Sequence, residues 1–87
     1  MVSVLDLEVG RKYRDKYEFM DLYIVGKFEP KRMNDNSNHP VHRPVLYAFF
    51  CSHIGEDKWF STKKDRPNIL PWYLMGRSAN DLYTEIN

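Results

Sequence analysis

The residues of this chain best suited to hold a metal or attack a substrate lie close together in sequence: His39, His42, Cys51 and His53. Two imidazoles three apart and a C-x-H pair offer nitrogen and sulfur donors of the kind zinc takes. The spacing matches no zinc-finger pattern, and His39-Pro40-Val41-His42 belongs to a proline-punctuated stretch rather than a helix. In a strand, Cys51 and His53 would share a face, which is permitted but not distinctive. Nucleophilic catalysis would need Cys51 as a thiolate in an electropositive, partly exposed pocket. It follows Phe49-Phe50 in the most apolar part of the chain, where burial raises the thiol pKa and makes the group inert. No paired-carboxylate pattern, glycine-rich phosphate loop or G-x-S-x-G elbow is present. The expectation is no metal site, no cofactor and no enzymatic activity.

Two other constellations point to binding. Pro71-Trp72-Tyr73-Leu74-Met75 packs four large apolar side chains behind one proline. Trp, Tyr and Met are enriched at protein interfaces, and a single helical turn cannot bury all four sides against one small domain. Trp72, Tyr73 and Met75, with Arg32 and Arg43 from the basic stretch before them, form the expected partner-binding set. The alternative for Trp72 and Leu74 or Met75 is a plug that closes one end of the fold. The second constellation is basic and aromatic: Lys31, Lys63, Lys64 and Arg66, with Trp59, Phe60, Tyr13 and Tyr17 interleaved among bases. Small barrels use such surfaces to stack unpaired bases and grip phosphates. The competing use of those aromatics is simply to fill the core.

The elements that must position these groups are bounded by 87 residues, which is one domain. A formal net charge of +1 argues against a chain that coats nucleic acid by charge alone. Residues 11–66 carry 12 bases against 8 acids, a mildly basic middle between acidic ends. The one cysteine forbids an intrachain disulfide and excludes a disulfide-held secreted scaffold. The first residues lack a basic segment followed by an apolar one, and no run approaches about 18 apolar residues. A cytoplasmic protein with no membrane partner is expected.

Along the chain, Leu5, Leu7 and Val9 alternate as a short strand, a slightly better fit than a turn capped by Ser3 and closed by Gly10. Residues 12–19 and 17–28 read as strands, with Tyr13, Tyr17 and Phe19 on one face and Pro30 ending the second. Residues 30–44 hold Pro30, Pro40, Pro44 and an Asn-rich run, so they form a long loop of the functional or mobile kind. Residues 45–52 make a central strand covered on both sides, joined through Gly55 to a partner strand over 58–62. This hairpin is the expected structural centre, with Phe49 and Trp59 buried. Pro71 opens a helical turn over 72–75 that Gly76 closes. Ser78-x-x-Asp81 resembles a capping box, which predicts a C-terminal helix over 79–86 docked through Leu82, Tyr83 and Ile86.

Strands followed by a terminal helix, without βαβ alternation, predict a mainly β, antiparallel, four- to five-stranded SH3-like open barrel with a short C-terminal helix. A flat antiparallel sheet with one helix packed across it is the alternative. In composition, being compact and rich in Tyr, Phe, Asn and Lys, the chain resembles small accessory proteins of bacteriophages, although no specific residue carries that resemblance. The resemblance implies a non-enzymatic module that binds a host protein and inhibits or redirects it. The expected partner is therefore a protein or a second copy of the chain, with a nucleic-acid-binding barrel as the alternative.

Overall fold

A computed structural model describes residues 1–29, 45–56, 58–62, 65–76, 78 and 80–86. Six strands form one antiparallel sheet: β1 (Val2–Ser3), β2 (Lys12–Asp15), β3 (Met20–Phe28), β4 (Leu46–His53), β5 (Asn68–Pro71) and β6 (Leu82–Ile86). Their order across the sheet is β1-β6-β2-β3-β4-β5. One short helix, α1 (Trp72–Met75), follows β5, and a single 3-10 turn (Val4–Asp6) follows β1. The sheet is open, with β1 and β5 at its edges, and it has six strands rather than four or five.

β3 and β4 form the longest ladder, from Met20↔His53 to Phe28↔Leu46. A bulge between Ile24 and Gly26 shifts its register. Gly26 suits that point because a Cβ there would stand 3.1 Å from the Cβ of Ala48. Val45, just before β4, and the inward positions Tyr47 and Phe49 on it are buried, while Leu46, Ala48 and Phe50 on the other face are half-covered. Leu22 and Ile24 pair inward with Cys51 and Phe49. With Val4, Leu5, Leu7, Tyr13, Trp72 and Tyr83 they complete the core. Each such side chain contributes about 1.5–3 kcal/mol on burial.

Several sequence expectations are corrected. The helix expected over 79–86 is replaced, among the described residues, by a strand: Leu82–Ile86 is β6. It pairs with β2 through Asp15↔Tyr83 to Lys12↔Ile86, and with β1 through Val2↔Tyr83. An eight-residue helix is marginal on its own, whereas Tyr, Thr and Ile gain two ladders here. Ser78-x-x-Asp81 instead closes a turn, in which the Ser78 amide donates to Asp81 Oδ2 at 3.3 Å and the Asp81 amide donates to the Ser78 carbonyl at 3.1 Å.

The expected hairpin partner over 58–62 is reduced to one bridge, Cys51↔Phe60. Most of that edge of β4 is taken by β5, from Leu46↔Pro71 to Phe49↔Asn68. Phe49 is buried as expected, but Trp59 is only half-buried and packs on the outer face. Pro71 sits on an edge strand, where its missing N–H breaks no ladder.

The first segment is a capped turn rather than an alternating strand. The Ser3 side chain accepts from the Leu5 amide at 3.3 Å, Val4, Leu5 and Leu7 are buried, and Val9 is exposed. The strand expected over 12–19 ends at Asp15. There the chain turns: Asp15 Oδ1 accepts from the Phe19 amide at 2.9 Å, and Glu18 takes a left-handed φ of 56°. No helix among the described residues is long and apolar enough to cross a membrane.

Candidate binding groove

The turn after β2 and the helix α1 stand on either side of a groove. Asp15 ends β2 and starts the turn through its own side chain, the geometry Asp favours. That turn carries Tyr17 and Phe19 out of the sheet, with their ring centroids 6.2 Å apart. On the other side, α1 is anchored by Trp72: its amide donates to the Val45 carbonyl at 3.0 Å, and the Gly76 amide donates to the Trp72 carbonyl at 3.1 Å. Gly76 is extended rather than left-handed, and the Asp81 side chain approaches it closely. A Cβ would meet Asp81 Oδ2 at 3.0 Å and Asp81 Cβ at 3.3 Å.

The groove consists of two adjoining cavities of about 250 and 220 Å³. Asp15, Phe19, Leu74, Met75 and Tyr83 line both. The first is polar at its far end, where Lys16, Asp81 and Gly76 contribute. The second runs into the core past Met20, Leu22, Phe49 and Leu70. Phe19 is 72% exposed and Leu74 62%.

The polar groups of the groove are already engaged. The Tyr83 hydroxyl donates to the Met75 carbonyl at 2.8 Å. Burial, then the nearby Asp15 and Asp81 carboxylates, push its pKa up to about 12. Lys16 Nζ lies 3.3 Å from Asp81 Oδ1 and 5.1 Å from the Tyr17 ring centroid. Asp81 first, then Tyr17, hold its ammonium above the ordinary lysine value.

The expected partner-binding residues divide. Trp72 is a core residue, 2% exposed, so its ring stands where the alternative reading put it, as a plug between α1 and the sheet. Tyr73 is 59% exposed and meets Trp72 edge-to-face at 5.9 Å. Met75 is half-buried in the groove wall. Arg32, Arg43, Lys31, Lys63 and Lys64 lie outside the described residues, as does the 30–44 loop. Arg66 is exposed and lines a separate cavity along β5 with Thr62, Asn68 and Ile69. Phe19, Asp15, Leu74 and Tyr83 were not singled out as site residues by sequence. The Asp-led turn at 15–18 is the feature that could have marked the first two.

On the opposite face of the sheet, Lys12 Nζ sits 5.6 Å from the Tyr23 ring centroid and 5.3 Å from that of Trp59. Beside it, Arg14 grips the buried carboxylate of Asp21 with two bonds of 2.8 and 3.1 Å. Cys51 is half-buried, with Asn68 Nδ2 3.7 Å from its sulfur, and burial pushes the thiol pKa up, away from a reactive thiolate. His39 and His42 lie outside the described residues, among which no group of three or more His, Cys, Asp or Glu is placed to hold a metal ion. Compared with known proteins, the chain matches no family model, no curated protein and no solved structure.

Proposed function

We propose that this chain is a non-enzymatic interaction module that binds another protein through the groove between the β2–β3 turn and α1. The observation that carries the reading is the exposure of Phe19 and Leu74, two large apolar side chains that line the same pair of cavities. Exposed apolar side chains grouped around a cavity mark docking sites, whereas scattered ones need no explanation. The groove's polar groups support binding over chemistry: among the described residues the Tyr83 hydroxyl is bound to a carbonyl and the Asp81 carboxylate is paired with Lys16. Inhibiting or redirecting a larger cytoplasmic protein is the role such a module would serve. The finer reading of the fold as an SH3-like open barrel draws on the meander β2-β3-β4-β5, the single helical turn after it, and the return of β6 beside β2.

The nucleic-acid reading is favoured by one observation, the stack of Lys12 on Tyr23 and Trp59. Capturing partners from lysate on immobilised chain, over a salt series, separates the two. The protein-binding reading expects capture that survives salt, is lost in Leu74→Asp and Phe19→Asp, and persists in Lys12→Ala. Log affinity that falls steeply with log salt and collapses in Lys12→Ala, while Leu74→Asp binds normally, would replace it with the nucleic-acid reading.

A further inference from the structure

We infer that the segment docking in this groove presents a large apolar side chain next to a lysine or arginine, the apolar group entering the inner cavity and the cation settling over Asp15. This rests on the reading of the groove as a protein-binding site and adds the chemistry of its partner. The inner cavity, about 220 Å³, is walled by Met20, Leu22, Phe49, Leu70 and Leu74. An apolar cavity of about 150 Å³ already takes a benzene ring, so one aromatic or aliphatic side chain fits.

The outer cavity differs in charge. Among the described residues its charged lining is Asp15, Asp81 and Lys16. Asp81 is paired with Lys16. Asp15 receives only the Phe19 amide, and among the described residues no cation pairs with it. Asp15 therefore offers a carboxylate to an incoming cation, and it is one of the groups that, after burial, raise the pKa of Tyr83. Lys16 also shows that the site accepts a cation, for it holds one between Asp81 and the Tyr17 ring. An acidic segment would face two carboxylates and be rejected by like charge. A purely apolar segment would leave Asp15 desolvated without a counter-ion.

The test is selection from a displayed library of random 12-residue peptides on the immobilised full-length chain, keeping only peptides that fail to bind Leu74→Asp. Groove-dependent peptides with Lys or Arg within two positions of an aromatic or aliphatic residue are expected. The best of these should then weaken about twofold to fivefold on Asp15→Asn, which keeps an oxygen for the Phe19 amide and removes the charge. It should tighten on Lys16→Gln, which removes the competing ammonium, and a gain cannot come from a failure to fold. Groove-dependent peptides with no basic residues, or with acidic ones, would overturn this inference and leave the protein-binding reading standing. A selection that yields no Leu74-dependent peptide would overturn both.

Discussion

The Leu7 amide donates a hydrogen bond of 3.2 Å to the Tyr47 hydroxyl, and both residues are fully buried. Forty residues separate them in sequence, so this bond fastens the chain after the first turn to the start of β4. A buried amide left without its partner costs about 1–3 kcal/mol. Tyr47→Phe keeps the ring and removes the acceptor, so urea unfolding should show a loss in that range. Tyr13→Phe frees the less buried Glu8 amide, bonded at 2.9 Å, and should cost less.

Phe49 faces Ile24 across the main ladder and forms part of the wall of the inner cavity. Phe49→Ala should cost about 3–5 kcal/mol, a large share of the roughly 5–15 kcal/mol that holds a domain folded. Thermal melting checks this. A variant melting within a few degrees of the wild type would mean that β4 is not the centre of the core.

Tyr83 couples stability to alkaline pH. Its folded pKa of about 12 lies above the ordinary 10.0, so the folded state keeps a proton that the unfolded state has lost. This contribution is fully present below about pH 10 and disappears as pH rises towards about 12. A two-unit shift corresponds to roughly 3 kcal/mol. Urea midpoints at about pH 9 and pH 11.5 should fall more steeply for the wild type than for Tyr83→Phe; parallel falls would show that Tyr83 ionises as freely folded as unfolded.

Cys51 supplies a chemical measure of the same packing. Its thiol is half-buried and its pKa is raised by desolvation, so less thiolate is available near neutral pH. A disulfide reagent should label the native chain at least about tenfold more slowly than the chain in concentrated urea. Equal rates would place the sulfur at the surface.

How much of this was legible in sequence depended on how local the cause was. The apolar run of β4 and the turn from Trp72 to Gly76 are set by neighbours, and they stand close to where propensity and proline placed them. β6 was missed because Ser78-x-x-Asp81 is equally a cap and a turn, and only the ladders to β1 and β2, far earlier in the chain, decide between them. The groove was half legible. The helical side was visible as crowded apolar residues, but their spacing alone left open which of them face inward, and it is Trp72 that does. The other side was hidden because period-two alternation put Phe19 inward, and the side-chain bond from Asp15 turns the chain before that strand could continue.

Adjacent residues of α1 should therefore separate folding from binding. Trp72 belongs to the core, and Trp72→Ala should lose about 3–5 kcal/mol in urea unfolding, weakening partner capture only by depleting folded protein. Leu74 is exposed on the groove, and Leu74→Asp should unfold within about 0.5 kcal/mol of the wild type. If Leu74 is an anchor, the same variant should lose at least about tenfold in affinity for a captured partner. Tyr73→Ala, exposed but not lining either cavity, should fall between the two in binding and match Leu74→Asp in stability. Binding that follows stability across all three variants would mean that α1 only supports the fold, and the interface would have to be sought on the opposite face, around Lys12 and Trp59.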